Sequence, residues 1–347
     1  MPSLSCITTT FNDGPALLLS VRSILAQSFK DFELIVVDDG STDDTAHILS
    51  GLDDPRIRVI RQANDGLSGA RNKALEQVRG DYVCFLDADD CRPAWAFAAI
   101  AAAIKAHAPD LLLCRGVLSD VRNDINPFYD TPRFDEIAEI CPEGLVTPEN
   151  ERNAAVRMRA QLLEPQSANK VVRSALLKNS GIGFPNTHFF EDIFFHTNIL
   201  AAAERLAFVQ TPCFTYFRRY GRPQMTSASD DVRFDSIAVM RMTLETFADS
   251  AGFHDPPYRA SVLASCLKIV DWCGNCVSHH HRWHFRHMTL AALRLVDPLW
   301  LHLPEPLPPH LQEFAPLLHR HVKQAMSRKT SGEQPGGAPA ASLAWSG

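Results

Sequence analysis

The sequence predicts an α/β fold: a mixed, mostly parallel sheet with helices on both faces, followed by a C-terminal helical extension. Three observations carry this. Strand-like and helix-like segments alternate through residues 4–104, the pattern of parallel strands joined by crossover helices. The strand candidates show little apolar–polar alternation, as expected of strands covered on both faces. From about residue 230 the strand signal stops and helical spacing takes over.

The elements follow in order. Residues 4–10 are apolar and β-branched and predict the first strand. Phe11, Asn12, Asp13, Gly14 and Pro15 break it. Residues 16–27 carry Leu17, Leu18, Val21, Ile24 and Leu25 at helical spacing. Residues 32–37 form a second strand, which runs into Asp38, Asp39, Gly40, Ser41, Thr42 and Asp43. A helix is expected over 44–50, with Ser41 or Thr42 as its cap. A third strand covers 57–61, a turn 64–69 and a helix 70–78. The fourth strand, 82–86, ends in Asp87, Ala88, Asp89 and Asp90, and an Ala-rich helix starts near residue 94.

Residues 111–114 predict a further strand, and 119–150, poorly periodic and rich in Pro, Asp and Asn, a long excursion. A helix is expected over 151–163, a helix start at 189–195, and two strands at 206–210 and 214–218. Ile237, Met240, Leu244 and Phe247 mark one later helix; Val262, Leu263, Leu267 and Ile269 mark a second, and a His-rich third follows. The division expected is two α/β halves, 1–110 and 111–228, then a helical region, 229–326, and 327–347 a disordered tail of low-complexity composition.

The totals bound the function. A chain of 347 residues with a net charge of -6 has ample length for a core and is no general nucleic-acid binder. Nine scattered cysteines, an odd number, argue against a secreted disulfide scaffold. No basic segment followed by an apolar run opens the chain, and no apolar run approaches the ~20 residues of a spanning helix. A cytoplasmic location is expected, with peripheral membrane contact left open.

Three carboxylates, Asp87, Asp89 and Asp90, fall where a strand stops. In an open α/β sheet that is where ligands bind. Packed acids repel one another unless a cation neutralises them. Magnesium or manganese, held by one or two carboxylates, takes its remaining ligands from substrate phosphates and water. A solvated acidic turn is the plainer reading of the tetrad.

Several blocks together resemble family-2 glycosyltransferases of the GT-A fold. They are Ile7 to Asn12, Ser23 to Phe29, Val37 to Asp43, Gly66 to Asn72, Phe85 to Asp90, and Phe190, Glu191 and Asp192. The match covers roughly residues 3–225. The resemblance implies an inverting enzyme that uses a nucleotide-sugar donor, expected to be a UDP-sugar, and a saccharide or lipid-linked acceptor, in cell-surface polysaccharide synthesis. It implies Asp39, Thr9 and Phe11 at the base, Arg71 at the diphosphate, Asp87 at the ribose or metal shell, and Asp89 as ligand of a Mn or Mg cation. It further implies Asp192 as general base, with Glu191 and Lys170 touching the acceptor or supporting the site. Asn72 is expected to cap or brace its loop. Thr9 and Phe11 depart from the family's usual Pro and Tyr, and Phe11 lacks the hydroxyl.

The chemistry is coherent beside the resemblance. A base for the acceptor hydroxyl needs a raised carboxyl pKa, and the Phe-rich surround of Glu191 and Asp192 supplies an apolar setting. Two other classes were weighed. A catalytically silent nucleotide-sugar-binding partner would keep the fold without turnover. A magnesium phosphohydrolase would want its acids after the first strand, not the fourth. Cys273 and Cys276 with the nearby His279, His280, His281, His284 and His287 offer zinc-ligand types, but the segment reads as continuous helix and no second Cys pair follows.

Overall fold

Every position of β1 (Leu4–Thr10) is buried, because the strand lies inside the sheet with apolar layers on both sides. It pairs in parallel with β2 (Phe32–Asp38), which in turn pairs with β3 (Ile57–Arg61), and on its other side with β4 (Tyr82–Phe85). The helices α1 (Pro15–Leu25), α2 (Thr45–Ser50) and α3 (Gly66–Leu75) make the crossovers. The chain steps outward from β1 to β3, then returns to the opposite side at β4. That reversal opens a crevice at the carboxyl ends of the strands, the place where doubly wound sheets bind ligands. The computed structural model describes residues 2–119, 124–187, 189–218 and 230–327.

Beyond β4 the sheet becomes mixed. α4 (Ala96–His107) leads to β5 (Leu111–Ser119), which carries β6 (Ile125–Pro127) antiparallel along its far end. Then come α5 (Thr131–Ile140), β7 (Leu145–Val146), α6 (Asn153–Ala160) and a 3-10 turn at Ser167–Asn169. β8 (Lys170–Arg173) inserts antiparallel between β4 and β5. After α7 (Ser174–Ser180) and α8 (Glu191–Ala202), β9 (Leu206–Phe217) returns parallel to β5. The order across the sheet is β3-β2-β1-β4-β8-β5-β9-β7. α9 (Asp230–Arg233), α10 (Asp235–Phe247), α11 (Pro256–Cys276), α12 (His279–Leu295) and α13 (Ala315–Met326) form the helical C-terminal part.

Several expectations change. The excursion over 119–150 holds β6, α5 and β7 among its described residues. α5 buries only Phe134 and Ile137, too few apolar positions to set up a readable period. The two strands expected at 206–210 and 214–218 are one strand, β9, whose register against β5 shifts between Cys114 and Gly116. Gly116 sits there because the Phe214 ring occupies the space a Cβ would need. α3 starts at Gly66, inside the expected turn. Neither Ser41 nor Thr42 caps α2. Ser41 donates its amide to Asp38 and accepts at its hydroxyl from Asn12, while Asp43 receives the Thr45 amide. The tail lies outside the described residues, apart from Ser327.

The C-terminal helices share a core with the elements beside the sheet. Leu162 and Ile193 belong to the same apolar cluster as Leu244, Phe247, Leu263 and Trp300. Ile193 stands on α8, so these helices pack directly behind the acids at its start. Gly274 lets α12 approach α11: a Cβ there would stand 3.2 Å from the Phe285 ring.

One buried cation fixes the chain after the acidic tetrad. Arg92 donates to the carbonyls of Phe85, Ala168 and Cys213, joining β4, the 3-10 turn and β9. Gln27 completes the clamp: its amide donates to Pro93 O and accepts from Phe97 N. Arg92→Met strands three buried carbonyls and is predicted to lower unfolding free energy by ~3 kcal/mol or more. Chemical denaturation of the two proteins checks this, and an unchanged midpoint would remove Arg92 from the account.

Candidate active site

α3 and α8 bring one basic and two acidic side chains to the crevice at the end of β4. Arg71, on α3, is only 2% exposed. Its Nη1 donates to Glu191 at 2.7 Å and to Asp192 at 2.9 Å, and its Nη2 donates to Asp87 at 2.9 Å. The guanidinium face rests 4.9 Å from the centroid of Phe184, a cation–π contact that covers it from below. Asn72 braces that ring by exchanging two hydrogen bonds with the Phe184 backbone. Asn72 thus braces the distant segment at Phe184 rather than its own loop.

Arg71 was expected at the diphosphate. Both of its Nη atoms instead grip carboxylates of this chain, and the side chain is buried. Burial works against its charge, but Asp192, Asp87 and Glu191 outweigh that and hold it protonated. The guanidinium is thus the tie between a strand end and a helix start that lie more than a hundred residues apart in sequence.

The two acids of α8 differ. Glu191 is buried, and burial, then the Asp192 charge, push its carboxyl up to about 7. Asp192 is 22% exposed and so can be reached from the crevice. Its carboxyl is also raised, chiefly by burial, while Arg71 holds it back. The Ser167 backbone also opposes the rise. Both acids stand in the first turn of α8, where the helix dipole favours negative charge. The residue before them, Phe190, has φ 65°, a left-handed conformation rare for a bulky side chain.

Lys170 does not reach the crevice. It is fully buried, and its ammonium donates to Pro165 O, Gln166 O and Asn169 Oδ1. Burial pulls its pKa down to about 7. The contact with acceptor or phosphate is therefore replaced by a supporting role: Lys170 holds the carbonyls just ahead of Ser167, whose backbone opposes the rise at Asp192.

The remaining expected residues line the same edge of the sheet. Asp39 follows β2 and is buried; its amide donates to Thr10 O, and its Oδ1 accepts from Gln62 Nε2 and from the Asp65 amide. Asp65 immediately precedes α3, so Asp39 sets the start of the helix that carries Arg71. Thr9 is buried on β1, and Phe11, 48% exposed, stands at the rim. Asn12 has φ 57° and gathers the Thr42 and Asp43 amides on its side-chain oxygen.

Asp87 and the half-buried Asp89 lie two positions apart at the end of β4. Among the described residues no group of three or more His, Cys, Asp or Glu is arranged to hold a metal ion. A cation in this crevice would have two carboxylates at most, which suits an ion completed by phosphates and water. Cys273 is buried against Ser236 and Arg233, whereas Cys276 is exposed, so the two thiols face different surroundings. A hollow of about 510 Å³ lies elsewhere, lined by Leu75, Val78, Ile182 and Phe184 among others, and holds none of these acids.

Residues 5–160 match the model of glycosyl transferase family 2. A GalNAc(5)-diNAcBac-PP-undecaprenol beta-1,3-glucosyltransferase of Campylobacter jejuni is 45% identical over 94 residues, 26% of this chain and 30% of that one. The chain spans only 27–36% of the length of the first curated relatives it matches. Staphylococcus aureus TarS (residues 1–349), solved with UDP-GlcNAc, superposes with a TM-score of 0.72 and 24% identity over 94% of this chain and 88% of that one. A Pyrobaculum calidifontis mannosyltransferase, solved with GDP-Man and Mn2+, gives a TM-score of 0.50 at 17% identity over 94% and 86% of the two chains. These structural likenesses show the GT-A fold.

The raised Glu191 carboxyl has a stability consequence. Between pH 4.5, its ordinary value, and about 7 the folded protein binds more protons there than the unfolded chain. Its contribution therefore falls as pH rises through that window and is flat above it. Glu191→Gln is predicted to remove this slope. Urea unfolding of both proteins across that range measures the difference, and parallel curves would refute it.

Proposed function

Because residues 5–160 form a glycosyl transferase family 2 domain, we propose that the chain is an inverting glycosyltransferase. It moves a sugar from a nucleotide-diphosphate sugar, a UDP-sugar, to a hydroxyl of a saccharide or lipid-linked acceptor. The observation that carries this is the convergence of Asp87, Glu191 and Asp192 on Arg71 at the sheet's switch point. That convergence supports a reading in which an acid able to take a proton stands beside the strand end that meets the donor.

Each residue has a part. Asp39 receives the base N–H on Oδ2, since both of its side-chain bonds land on Oδ1. Phe11 offers a ring for stacking, and Thr9 closes the base pocket from β1. Asp89 and the outer oxygen of Asp87 would hold a Mn or Mg ion, which would neutralise the charge growing on the leaving diphosphate. The P. calidifontis neighbour's Mn2+ supports that reading.

Asp192 then accepts the proton of the acceptor hydroxyl. The oxygen forms its bond to the anomeric carbon as the carbon–phosphate oxygen bond breaks on the opposite face. The nucleoside diphosphate leaves with the electron pair. Glu191, more deeply buried, is itself pushed up by the Asp192 charge and supports the site by its bond to Arg71, and Lys170 holds the loop behind it. The C. jejuni relative's lipid-linked name supports an acceptor of that class, at the cytoplasmic face of a membrane and in cell-surface polysaccharide synthesis. Among the described residues no helix is long and apolar enough to cross a membrane.

Two variants test the assignment with a panel of nucleotide sugars, manganese and measurement of released nucleoside diphosphate. Asp192→Asn is predicted to keep donor affinity while transfer falls by roughly 100-fold or more, because an amide takes no proton. Near-normal transfer would move the base elsewhere. Asp89→Ala is predicted to lose manganese-dependent donor binding in calorimetry. Full affinity in that variant would take the ion away from Asp89.

A further inference from the structure

α12 plays no part in the crevice, yet its outer side is unlike the rest of the surface. Its segment holds five histidines and three arginines and no acid, in a chain whose net charge is -6. α13 beside it also has no acid and carries Arg320 and Lys323. The inward residues of α12 are Phe285, Thr289, Ala292 and Leu293. Helical geometry therefore turns Trp283 and His287 outward in one row, and His284, Met288 and Leu295 in the next; Arg294, in the first row, bends its guanidinium onto the carbonyls of Gln324, Ala325 and Ser327 at the end of α13. Trp283 is 69% and Leu295 65% exposed. The Trp283 ring lies over His287, with centroids 3.8 Å apart. Arg286 has no hydrogen bond or ion pair among the described residues and is exposed.

Contacts tie this face to the acids. Phe190, next to Glu191, meets Trp272 on α11 at 6.1 Å, and Arg233 lies 4.9 Å over the same indole. Phe234 follows and packs on Phe285 and His284 of α12. Cations interleaved with an exposed indole and aliphatic side chains are the composition of a helix lying in a lipid interface. A nucleic-acid face would use the cations but not Met288 and Leu295.

We propose that the outward face of α12 rests on an anionic lipid surface, with Trp283, Met288 and Leu295 in the headgroup layer and Arg286 on a lipid phosphate. The inference stands on α12 and not on the transfer reading, although a lipid-linked acceptor would give it a use.

The test sediments the full chain with phosphatidylcholine vesicles, with and without phosphatidylglycerol. Binding is expected only with phosphatidylglycerol and is expected to fade in high salt through screening. Arg286→Gln should weaken it about fivefold, the effect of one cation near such a surface, and Trp283→Glu should abolish it. Donor hydrolysis by both variants without vesicles should match the parent, which separates docking from catalysis. If the parent hydrolyses no donor yet binds vesicles, the transfer reading fails and this one stands. Equal recovery on both lipids, no recovery on either, or undiminished binding by Trp283→Glu overturns it. So does a dimer in light scattering that Trp283→Glu dissolves, or salt-sensitive RNA binding in place of vesicle binding.

Discussion

The site depends on a guanidinium placed where water cannot shield it. Taking the Arg71 charge out of water is costly, and the three surrounding carboxylates are what chiefly offset that. The acids in turn would repel one another without the cation between them. Neither half is stable alone in this position, so the end of β4 and the start of α8 are held at a fixed spacing. The group still carries more acid than base, with Asp89 beside it. That excess is the physical ground for the proposed cation and diphosphate.

The surrounding backbone reinforces the same geometry. Left-handed conformations at Asn12 and Phe190 cost of order 1–3 kcal/mol each unless the neighbours enforce them. Asn12 is enforced by amides of the loop after β2, and Phe190 by aromatic contacts with Phe189 and Trp272. Lys170 and Arg92, both buried, tie loop carbonyls behind the two acidic segments. Rigidity at the crevice thus comes from buried cations bound to backbone oxygens.

The first four strands and their crossovers were legible because buried parallel strands leave continuous β-branched runs. The acids were legible because three types of carboxylate cluster stand at predicted element ends. Partnership was not legible. Arg71 reads in sequence as a phosphate ligand, and nothing local announces that its partners lie at 87, 191 and 192. Lys170 reads as a contact to acceptor or phosphate, yet three acceptors within five residues on its N-terminal side capture it. Arg92 gave no signal at all, since its partners are carbonyls, which every residue has. Short elements such as α5 escaped because two buried side chains set no period.

The most direct measurement of the central claim is the titration of the Glu191 and Asp192 carboxyl carbons by NMR, in the parent and in Arg71→Met. If the guanidinium is what keeps both acids from rising further, each titrates at a higher pH in the variant. Unchanged titration midpoints would mean that the acids are arranged without Arg71, and the account of the site would be wrong.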